Sequence, residues 1–506
     1  MKKYLLGIDI GTSACKIAIF NKSGEVMASG NGDYPVYYPK PGWAEQNPDE
    51  WWDAVCRTIQ DVLSGGEIDS DDIAGIGIDG QGWSAIPMNQ EGVVLANTPI
   101  WMDTRAQDIC DRLNLQIGED QIFTLAGNSL QPSYTTAKIL WYKETMPNMF
   151  EHVDKILQSN SFIAYRLTGA ITQDMSQGYG LHCFDMHHGQ WDEKMCMKLG
   201  IPVEVLPQIV PSHQVIGRVT KKAAEQTGLA EGTLVVAGGL DAACGALGAG
   251  VIHPGETQEQ GGQAGGMSIC MNQYAADPRL ILGFHVVPDQ WLLQGGTTGG
   301  GGVMRWLEKE FAEFERSKEL ETGKASLIQL NELADKVNEG SDGLIFLPYM
   351  AGERSPIWNP DAKGVFFGLD FSKTKGHIIR SAMEGVAFSL KHNIDIAEAT
   401  GTEVKELRAM GGSANSLLWT QMKSDITGKS IVVPSSDTAT TLGAAILAGV
   451  GVGFYRDFEE AVTRTVKITR KHEPNTDHKE IYQNNYEIYL KLYQKLEDLM
   501  VKNTEN

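Results

Sequence analysis

Two aspartates stand at positions where a carboxylate could do chemistry. Asp9 ends an apolar segment at the N-terminus. The turn that follows, made of Gly11, Thr12 and Ser13, offers backbone N–H groups and two hydroxyls with little side-chain bulk. A buried carboxylate is costly unless it is paired, hydrated or bound to a cation. The segment therefore predicts a phosphate-binding turn in which Asp9 faces Mg²⁺ through water, and an ordinary hairpin with an Asx-turn is the alternative.

The second aspartate, Asp241, lies where an apolar segment meets a run of small residues. A carboxylate at the start of a helix is commonly an N-cap, which is the structural explanation of this residue. The chemical explanation is a general base aimed into a cleft, because Gly238 and Gly239 would let a ligand or a second domain approach closely.

Three further glycine-rich segments have the composition of phosphate or nucleotide sites. Residues 261–266 form a second candidate phosphate turn, and residues 295–302 precede a predicted helix at 303–311. A glycine run that opens a helix suits an anion, because free N–H groups point at the ligand. Residues 411–415 follow a predicted strand at 407–410 and could hold an adenosine. Any one run could be a flexible loop, but several in one chain favour a nucleotide-binding protein.

Three patterns resemble known sites without meeting their requirements. Residues 75–80 fit GxGxxG, but the first glycines lie inside a predicted strand rather than before a helix. Residues 428–430 resemble the end of a Walker A loop, but Lys423 stands where that loop needs a glycine. A group of histidines near Asp185 lacks zinc-ligand spacing and is more typical of a solvated loop. These histidines are His182, His187 and His188.

The elements that must position these residues fall into two similar sets. The hydrophobic pattern of the first set predicts strands at 4–10, 14–20, 25–30 and 73–79 and a helix at 48–63 capped by Asn47. The second set restarts near residue 232, with predicted strands at 233–237, 256–260 and 266–271 and a helix at 242–250. Each set contains a strand, a glycine turn and a second strand, which predicts two α/β domains that face a shared cleft.

The predicted domains cover residues 1–231 and 232–470, and residues 471–506 contain a C-terminal helix. Its central part, residues 477–500, is amphipathic, with four tyrosines on one face at i, i+4, i+7 and i+11. Such a face predicts packing on the body of the protein. The four residues are Tyr482, Tyr486, Tyr489 and Tyr493.

Composition argues against several classes of protein. The chain has 506 residues, 42% hydrophobic and 21% charged, which suits two or more globular domains. Its net charge of −21 argues against binding to nucleic acid or to an anionic membrane. The seven cysteines include no CxxC pair, and the apolar N-terminal stretch is interrupted at Asp9. These two features predict a cytoplasmic protein without a signal peptide. The uncharged run at 438–455 predicts a buried helix rather than a membrane span.

Taken together, these segments resemble the FGGY family of carbohydrate kinases, from about residue 4 to residue 455. The resemblance implies two RNase H-like domains that flank a catalytic cleft, as in the actin/hexokinase/Hsp70 superfamily. It also implies ATP-dependent phosphorylation of a small sugar hydroxyl with Mg²⁺, and within the family it is strongest to the xylulokinases, which act on a ketopentose. The matching segments are 7–13 (first phosphate motif), 101–105 (W-x-D-x-R), 133–141 (first signature, from which Tyr142 departs), and 352–356, 364–369 and 377–384 (second signature).

The resemblance assigns roles to individual residues. It implies that Asp241 is the catalytic base and that Asp9 is a catalytic residue that helps to hold Mg-ATP. A homodimer is expected only by analogy with the family. The nucleotide-binding positions that it implies are Gly11, Thr12, Ser13, Gly262, Gln263, Gly265, Gly301, Gly411 and Asn415. The substrate-binding positions that it implies are Gln81, Gly82, Trp83, Asp103 and Asp241.

Three departures from the family pattern bear on the choice of sugar. Gly82 and Trp83 stand where xylulokinases usually carry Met-His, and Ala242 stands where they often carry Asn. Gln263 and Ala264 leave the second phosphate turn without its usual hydroxyls. Alternative acceptors are another ketose, a polyol such as glycerol or erythritol, or a sugar acid. An actin- or Hsp70-like ATPase without sugar kinase activity, and a degenerate kinase that serves as a sensor, are the rival classes.

Trp83 brings a large ring and one N–H donor to a position where the family has a hydrogen-bonding histidine. We expect it to line the sugar site and to narrow the choice of substrate. The alternative is a tryptophan that packs beneath the strand.

Overall fold

The computed structural model describes residues 2–66, 68–435 and 438–502. Within them the chain forms two seven-stranded sheets, five two-stranded sheets and the helices that cover them. This is the α/β architecture that the sequence predicts.

The strands are numbered in chain order. They are β1 (Tyr4–Ile10), β2 (Ala14–Phe20), β3 (Val26–Asp33), β4 (Glu45–Gln46), β5 (Ile73–Gly80), β6 (Ile86–Met88), β7 (Thr98–Pro99), β8 (Lys155–Leu157), β9 (Thr172–Asp174), β10 (Phe184–Asp185), β11 (Gln190–Trp191), β12 (Gln208–Val210), β13 (Val215–Arg218), β14 (Leu234–Val236), β15 (Gly239–Leu240), β16 (Glu256–Gly261), β17 (Gly265–Met271), β18 (Ile281–Phe284), β19 (Trp291–Thr297), β20 (Ile345–Leu347), β21 (Val365–Phe367), β22 (Glu406–Met410), β23 (Ser430–Pro434) and β24 (Ile468–His472).

The α-helices are numbered in the same way, and short 3₁₀ helices occur between them. The α-helices are α1 (Pro48–Ser64), α2 (Gln107–Ile117), α3 (Glu119–Ala126), α4 (Thr135–Thr145), α5 (Pro147–Phe150), α6 (Ser159–Thr168), α7 (Met175–Gly178), α8 (Glu193–Leu199), α9 (Lys221–Thr227), α10 (Asp241–Gly248), α11 (Gly301–Phe311), α12 (Glu313–Thr322), α13 (Ser326–Ala334), α14 (Lys375–Ala399), α15 (Leu417–Thr427), α16 (Ala439–Gly451), α17 (Phe458–Thr465) and α18 (Lys479–Lys502). The 3₁₀ helices are Ser70–Asp72, Val203–Val205, Glu339–Gly343, Gly412–Asn415 and Thr476–His478.

The first large sheet has the strand order β13-β14-β5-β1-β2-β3, and β15 also pairs with β5. β1, β2 and β3 form an antiparallel meander, whereas β5 and β14 continue from β1 in parallel. β1 and β5 are buried almost throughout, which explains their nearly continuous apolar sequences. The GxGxxG match at 75–80 therefore lies within the central strand β5.

The second large sheet has the strand order β18-β19-β17-β16-β22-β23-β24. From β19 to β24 it repeats the arrangement of the first sheet from β3 to β13, and β18 is an additional edge strand. Here β16, β17 and β19 form the antiparallel meander, and β22 and β23 continue from β16 in parallel. β24 closes the edge antiparallel to β23, as β13 does beside β14. The β1–β2 hairpin of the first domain thus corresponds to the β16–β17 hairpin of the second, and the two predicted phosphate turns are topologically equivalent.

The first sheet extends past the boundary predicted at residue 231. β14, expected to open the second domain, pairs in parallel with β5, and β15 continues that pairing beside Asp79. The apolar pattern of a short strand does not reveal which sheet it joins, because both sheets need strands of this kind. Asp241, which directly follows β15, therefore enters the cleft from the first sheet.

Two helices of small residues, α10 and α16, join the domains. They touch backbone to backbone: a Cβ placed on Gly443 would lie 1.9 Å from the carbonyl oxygen of Cys244. α16 also lies against β1, where a Cβ on Gly7 would lie 2.0 Å from the carbonyl oxygen of Thr441. Only glycine permits these approaches. The uncharged run at 438–455 thus contains a buried helix over Ala439–Gly451. No helix in the described ranges has the length and hydropathy to cross a membrane.

The C-terminal helix α18 covers the second domain with its tyrosine face. Tyr482, Tyr486 and Tyr489 are buried and contact the ring of Phe388. The hydroxyl of Tyr349 donates a hydrogen bond to that of Tyr489 at 2.7 Å. The face therefore packs on the body of the protein, as its spacing predicts.

A buried ion pair lies beneath the glycine turns of the second domain. Lys423 Nζ lies 2.6 Å from Glu259 Oε1 and 2.9 Å from Ser413 Oγ. The side chains of Lys423 and Glu259 are only 2% and 5% exposed. Glu259 belongs to β16, and Ser413 belongs to the turn after β22, so the pair ties together the ends of two neighbouring strands.

We expect Lys423→Met to lower the free energy of unfolding by about 3–5 kcal/mol, because the Glu259 carboxylate would stay buried without its cation. The double variant Lys423→Met/Glu259→Leu should recover most of that loss, since apolar residues of similar volume often replace a buried pair without penalty. Urea unfolding followed by circular dichroism measures both. Lys429→Met, which removes the more exposed pair with Glu398, is the control and should cost less than about 1 kcal/mol. Equal losses for Lys423→Met and Lys429→Met would contradict the prediction.

Candidate active site

The β1–β2 turn, residues 11–13, is fixed by side chains of the first domain. The Gly11 carbonyl accepts a hydrogen bond from the Tyr34 hydroxyl at 2.6 Å, and the Thr12 carbonyl accepts one from Gln46 Nε2 at 2.8 Å. Trp101 Nε1 donates to the Thr12 hydroxyl at 3.0 Å. With these groups engaged inside the protein, the exposed Ser13 is the part of the turn that faces solvent.

Asp9 lies at the end of β1, beside this turn, and is 3% exposed. Its carboxylate accepts a hydrogen bond from the Thr440 hydroxyl of α16 at 3.1 Å and lies 3.5 Å from Lys16 Nζ. Lys16 stands opposite Asp9 in the β1–β2 register. The buried carboxylate that the sequence predicts is thus present, with one hydroxyl and one largely exposed ammonium as neighbours.

Asp79 is a third carboxylate of the site, and sequence reasoning missed it. It pairs with Asp9 between the parallel strands β1 and β5 and is fully buried. Its carboxyl group makes no hydrogen bond of good geometry with any described residue. Burial and the charges of Asp9 and Asp241 raise the pKa of Asp79 well above its usual range. The available signal was the tripeptide Gly-Ile-Asp, which occurs near the ends of both predicted strands.

Asp241 is the first residue of α10 and is half-buried at the cleft. Its Oδ1 accepts a hydrogen bond from the Ala242 N–H at 2.6 Å. Burial, followed by the negative charge of Asp9, raises the pKa of Asp241 to about 7. The N-cap residue is Leu240 and not Asp241, so the structural explanation of this aspartate does not hold. A carboxylate with this pKa is suited to accept a proton from a hydroxyl near neutral pH.

The cleft beside Asp241 has a different chemistry on each wall. The first domain contributes aromatic rings, which suit the apolar faces of a small ligand, and the second contributes amide side chains, which suit its hydroxyls. Lining residues from the first domain include Gly82, Trp83, Trp101 and Tyr179. Those from the second include Gln258, Gln260, Gly265, Gly266, Gln294 and Arg354.

Trp83 lies on the wall of this cleft and not beneath the sheet. Its ring stacks on Tyr134 at a centroid distance of 4.2 Å and meets Tyr179 edge-on at 5.9 Å. Its backbone has a φ of 65°, which is an outlier for a bulky residue. The buried ammonium of Lys138 donates to the Trp83 carbonyl at 2.7 Å and holds this conformation. Such backbone strain is typical of ligand sites.

Two predicted substrate-binding residues lie behind the cleft wall. Gln81 is 1% exposed, and its Nε2 donates to Gln46 Oε1 at 2.7 Å, which links it to the phosphate turn. Asp103 is fully buried and accepts hydrogen bonds from the Ala44 N–H at 2.7 Å and from the guanidinium of Arg105. Sequence position cannot separate a residue on the wall from one that supports it, because both belong to the same segment.

The β16–β17 turn forms a tight junction with the start of α11. The Gly301 N–H donates to the Gly262 carbonyl at 2.7 Å, and the Gly302 N–H donates to the Gln263 carbonyl at 2.9 Å. The first N–H groups of α11 are therefore engaged by the turn. This corrects the interpretation of the run at 295–302 as an anion-binding helix start: these glycines allow two backbones to approach.

A second cavity lies on the far side of this turn. Its apolar wall and polar rim suit a nucleobase and its ribose. Gly411, with a φ of 82°, lies against Gly261 and gives the cavity its edge. The apolar wall contains Met304, Leu327, Ile328 and Trp419. The polar and backbone lining includes Gly261, Gly262, Gly301, Ser413 and Asn415. Three of the predicted nucleotide-binding residues of the second domain, Gly262, Gly301 and Asn415, are thus brought together here.

The β16–β17 hairpin borders both cavities. Gln260, Gly265 and Gly266 line the cleft of Asp241, whereas Gly261 and Gly262 line the second cavity. A group that passes from a nucleotide in the second cavity to an acceptor beside Asp241 must therefore cross this turn.

Arg354 is a cation on the cleft wall, and sequence reasoning included it only within a family motif. Its guanidinium lies over Gly296, where an added Cβ would be 3.1 Å from Cζ. The neighbouring Glu353 carboxylate is engaged by the Thr297 hydroxyl at 2.6 Å and by the Thr298 N–H at 2.8 Å. Among the described residues, no carboxylate oxygen lies within 4.0 Å of the Arg354 guanidinium. Burial lowers the pKa of Arg354.

The histidines near Asp185 do not converge on one point. His182 is fully buried, in contrast to the predicted solvated loop, and its Nδ1 lies 3.1 Å from the Thr136 hydroxyl. His188 pairs with Asp185 at 2.6 Å near the surface. Across the described parts of the chain, no three His, Cys, Asp or Glu side chains are arranged to hold a metal ion.

Comparison with known proteins covers nearly the whole chain. Residues 4–248 match the N-terminal domain model of the FGGY family of carbohydrate kinases, and residues 271–452 match its C-terminal domain model. The chain is 30% identical to the xylulose kinase of Bacillus subtilis, over 98% of each protein. It is also 30% identical to the gluconokinase of Bacillus subtilis, over 98% of this chain and 97% of that protein.

Solved structures agree with these matches. The crystal structure of xylulose kinase from Rhodospirillum rubrum superposes with a TM-score of 0.90 at 28% identity, over 98% of this chain and 99% of the other. This likeness confirms the expected pair of RNase H-like domains around a cleft. It also favours the sugar kinases over the Hsp70-like ATPases as the class of this protein. The chain therefore belongs to the FGGY family of carbohydrate kinases and is an ATP-dependent sugar kinase.

Proposed function

We propose that this kinase transfers the γ-phosphate of Mg-ATP to a hydroxyl of a ketopentose of the xylulose type. The observation that carries the proposal is the β16–β17 hairpin, which borders the cleft of Asp241 on one side and the apolar cavity on the other. The sugar then lies beside Asp241, the nucleotide lies in the second cavity, and the phosphates lie along the turn. Relatives and a solved structure that carry the name xylulose kinase support the choice of sugar.

The carboxylates of the first domain fit a divalent cation beside the phosphates. Asp9, Asp79 and Asp241 act on one another electrostatically, and Lys16 is the cation next to Asp9. Mg²⁺ is usually held by one or two carboxylates together with substrate phosphates and water, which agrees with the absence of a three-ligand cluster among the described residues. Asp9 would hold Mg²⁺, which when bound supplies neutralisation of the phosphate charge.

The remaining chemistry belongs to groups of the chain itself. Asp241 accepts the proton of the sugar hydroxyl. The hydroxyl oxygen of the sugar forms a bond to the γ-phosphorus while the bond between that phosphorus and the β–γ bridging oxygen breaks, which releases ADP. The β1–β2 turn contributes Gly11, Thr12 and Ser13 to the phosphates. The β16–β17 turn contributes backbone at Gly262 and Gly265 and the side chain of Gln263, in place of the hydroxyls usual in the family.

The second candidate acceptor is a sugar acid. The gluconokinase of Bacillus subtilis has the same 30% identity to this chain as the xylulose kinase of that organism. The guanidinium of Arg354 on the cleft wall is a group that a carboxylate would bind.

A coupled assay of ADP release tests the proposal across xylulose, ribulose, fructose, gluconate, glycerol and erythritol. We expect the highest kcat/KM with a ketopentose. A clear preference for gluconate would instead establish the sugar-acid alternative. Sugar-independent ADP release alone, or none at all, would contradict kinase activity and support a sensor.

Asp241→Asn should lower kcat by about 10²–10⁴-fold, because it removes proton acceptance while it keeps size and hydrogen bonding. In the wild-type enzyme kcat/KM should rise with pH through a pKa of about 7, since only ionised Asp241 accepts a proton, and this limb should vanish in the variant. Asp457→Asn, at the N-cap of α17, is the matched control and should keep full activity. A kcat for Asp241→Asn within a few-fold of wild type would falsify the assignment.

Asp9→Ala should lower kcat by about 10²-fold or more, because the carboxylate that would hold Mg²⁺ beside the phosphates is lost. Activity measured against Mg²⁺ concentration should also show a higher half-saturation point. Asp33→Ala removes an exposed carboxylate at the end of β3 and should change neither quantity. Full kcat for Asp9→Ala at saturating Mg-ATP would rule out the metal role.

Trp83→Asn should change the relative kcat/KM for ketoses of four, five and six carbons by about 10-fold or more, because it removes one wall of the cleft. Asparagine tolerates the left-handed backbone at this position, so the substitution tests the ring rather than the turn. Trp83→Phe keeps an aromatic wall and should retain most of the discrimination. An unchanged substrate profile for Trp83→Asn would show that the ring does not select the sugar.

A further inference from the structure

We propose that Arg354 is a catalytic residue that contacts the phosphoryl group as it passes from ATP to the sugar. The inference rests on the proposed function, since it assigns a further role at the same site. It is carried by the position of the guanidinium, by the way its loop is fixed and by the lack of a carboxylate oxygen within 4.0 Å of the guanidinium among the described residues.

The guanidinium lies at the end of the hairpin that borders both cavities. Arg354 covers Gly296 of β19, and Gly296 pairs with Gly266 of β17, one residue beyond the start of that strand. The next pair, Thr297 with Gly265, borders the turn itself. Arg354 also lines the cleft that contains Asp241. The cation is therefore near the path between the nucleotide and the acceptor.

The loop that carries Arg354 is attached to β19 on both sides of this residue. Glu353 binds the Thr297 hydroxyl and the Thr298 N–H, as described above. Ser355 Oγ accepts the Gly296 N–H at 2.6 Å and donates to the Gly296 carbonyl at 3.1 Å. The backbone on either side of Arg354 is thus held in place, which preorganises the guanidinium for a charge that develops during the reaction.

The contacts of the guanidinium within the protein do not indicate a structural role. Among the described residues, its one hydrogen bond as a donor runs from Nη2 to the Thr297 carbonyl at 3.5 Å, which is too long to be strong. A half-buried cation with no carboxylate oxygen within 4.0 Å among those residues favours an anionic ligand. The planar guanidinium suits phosphoryl oxygens, because it presents its donors as a fork.

The β16–β17 turn itself offers uncharged donors, its backbone N–H groups and the Gln263 amide, and two further sets of donors near it are engaged within the protein. Gln263 and Ala264 provide no hydroxyl in the turn. The Gly301 and Gly302 N–H groups bind the turn carbonyls. The Lys423 ammonium is paired with Glu259 beneath the turn. A transferring phosphoryl group carries negative charge on its equatorial oxygens, and Arg354 is placed to neutralise it.

The test compares Arg354→Gln and Arg354→Lys with wild-type enzyme, using the best sugar from the ADP-release screen and also gluconate. We expect Arg354→Gln to lower kcat by about 10²–10³-fold with each accepted sugar, while KM for the sugar changes by less than about threefold. Arg354→Lys should restore part of kcat, because it returns the charge without the fork. Arg279→Gln, which removes an exposed pair with Asp277, is the control and should keep full kcat.

Calorimetry of product binding gives a readout that a structural role would not move. Arg354→Gln should bind the sugar phosphate product about 10-fold or more weakly than wild type and bind the unphosphorylated sugar equally well. Circular dichroism checks that the variant is folded; where it is not, Arg354→Lys carries the test through the same two measurements.

Three outcomes would overturn the inference. Wild-type kcat and product affinity in Arg354→Gln would remove the phosphoryl contact. An increase of KM confined to gluconate would make Arg354 a carboxylate-binding residue instead. Absence of sugar-dependent ADP release in the wild-type enzyme would contradict both the proposed function and this inference. The other two outcomes are measured on Arg354 variants, so they contradict this inference alone.

Discussion

The central constraint on this molecule is that two buried carboxyl groups and a third, half-buried one lie close together with too little positive charge. Asp9 and Asp79 lie side by side on β1 and β5, and Asp241 follows β15, which pairs with the same strand. Like charges in a poorly solvated place oppose ionisation, so the pKa of Asp79 rises well above its usual range and that of Asp241 to about 7. The same energy that opposes folding here prepares the site for a cation and gives one aspartate the basicity that proton transfer needs.

The backbone around this cluster is packed at contact distance. The backbones of helices α10 and α16 are in contact at Gly443, and α16 lies directly on β1. α16 also places the Thr440 hydroxyl 3.1 Å from the Asp9 carboxylate, to which it donates a hydrogen bond. Helix α16 thus takes part both in the contact between the domains and in the surroundings of Asp9.

The two domains share one topology, but the charged groups that border their equivalent hairpin turns are opposite in sign. In the first, the hairpin turn is bordered by carboxylates, which suits a cation held between protein and phosphate. In the second, the equivalent turn is supported from below by the Lys423–Glu259 pair and bordered on the cleft side by the guanidinium of Arg354. Phosphate bound between the turns would therefore meet a cation site on one face and fixed donors on the other. The loss of hydroxyls at Gln263 and Ala264 makes the second set of donors depend on residues distant in the sequence.

Local features of the sequence by themselves determined the strands around both turns, the buried helix α16, the tyrosine face of α18 and the positions of Asp9 and Asp241. These depend on periodicity, on glycine and on motifs a few residues long. Only the tertiary structure decided that β14 joins the first sheet, that Asp79 faces Asp9 across about 70 residues of chain, and that Gln81 and Asp103 support the cleft wall from behind. It also decided that the first N–H groups of α11 bind the turn and that the Arg354 guanidinium lies on the cleft wall, with no carboxylate oxygen within 4.0 Å in the described parts of the chain. Each of these depends on which distant segments of the chain pack together. Hydrophobic periodicity predicts which face of a strand is buried, but it does not predict which strands pair with it.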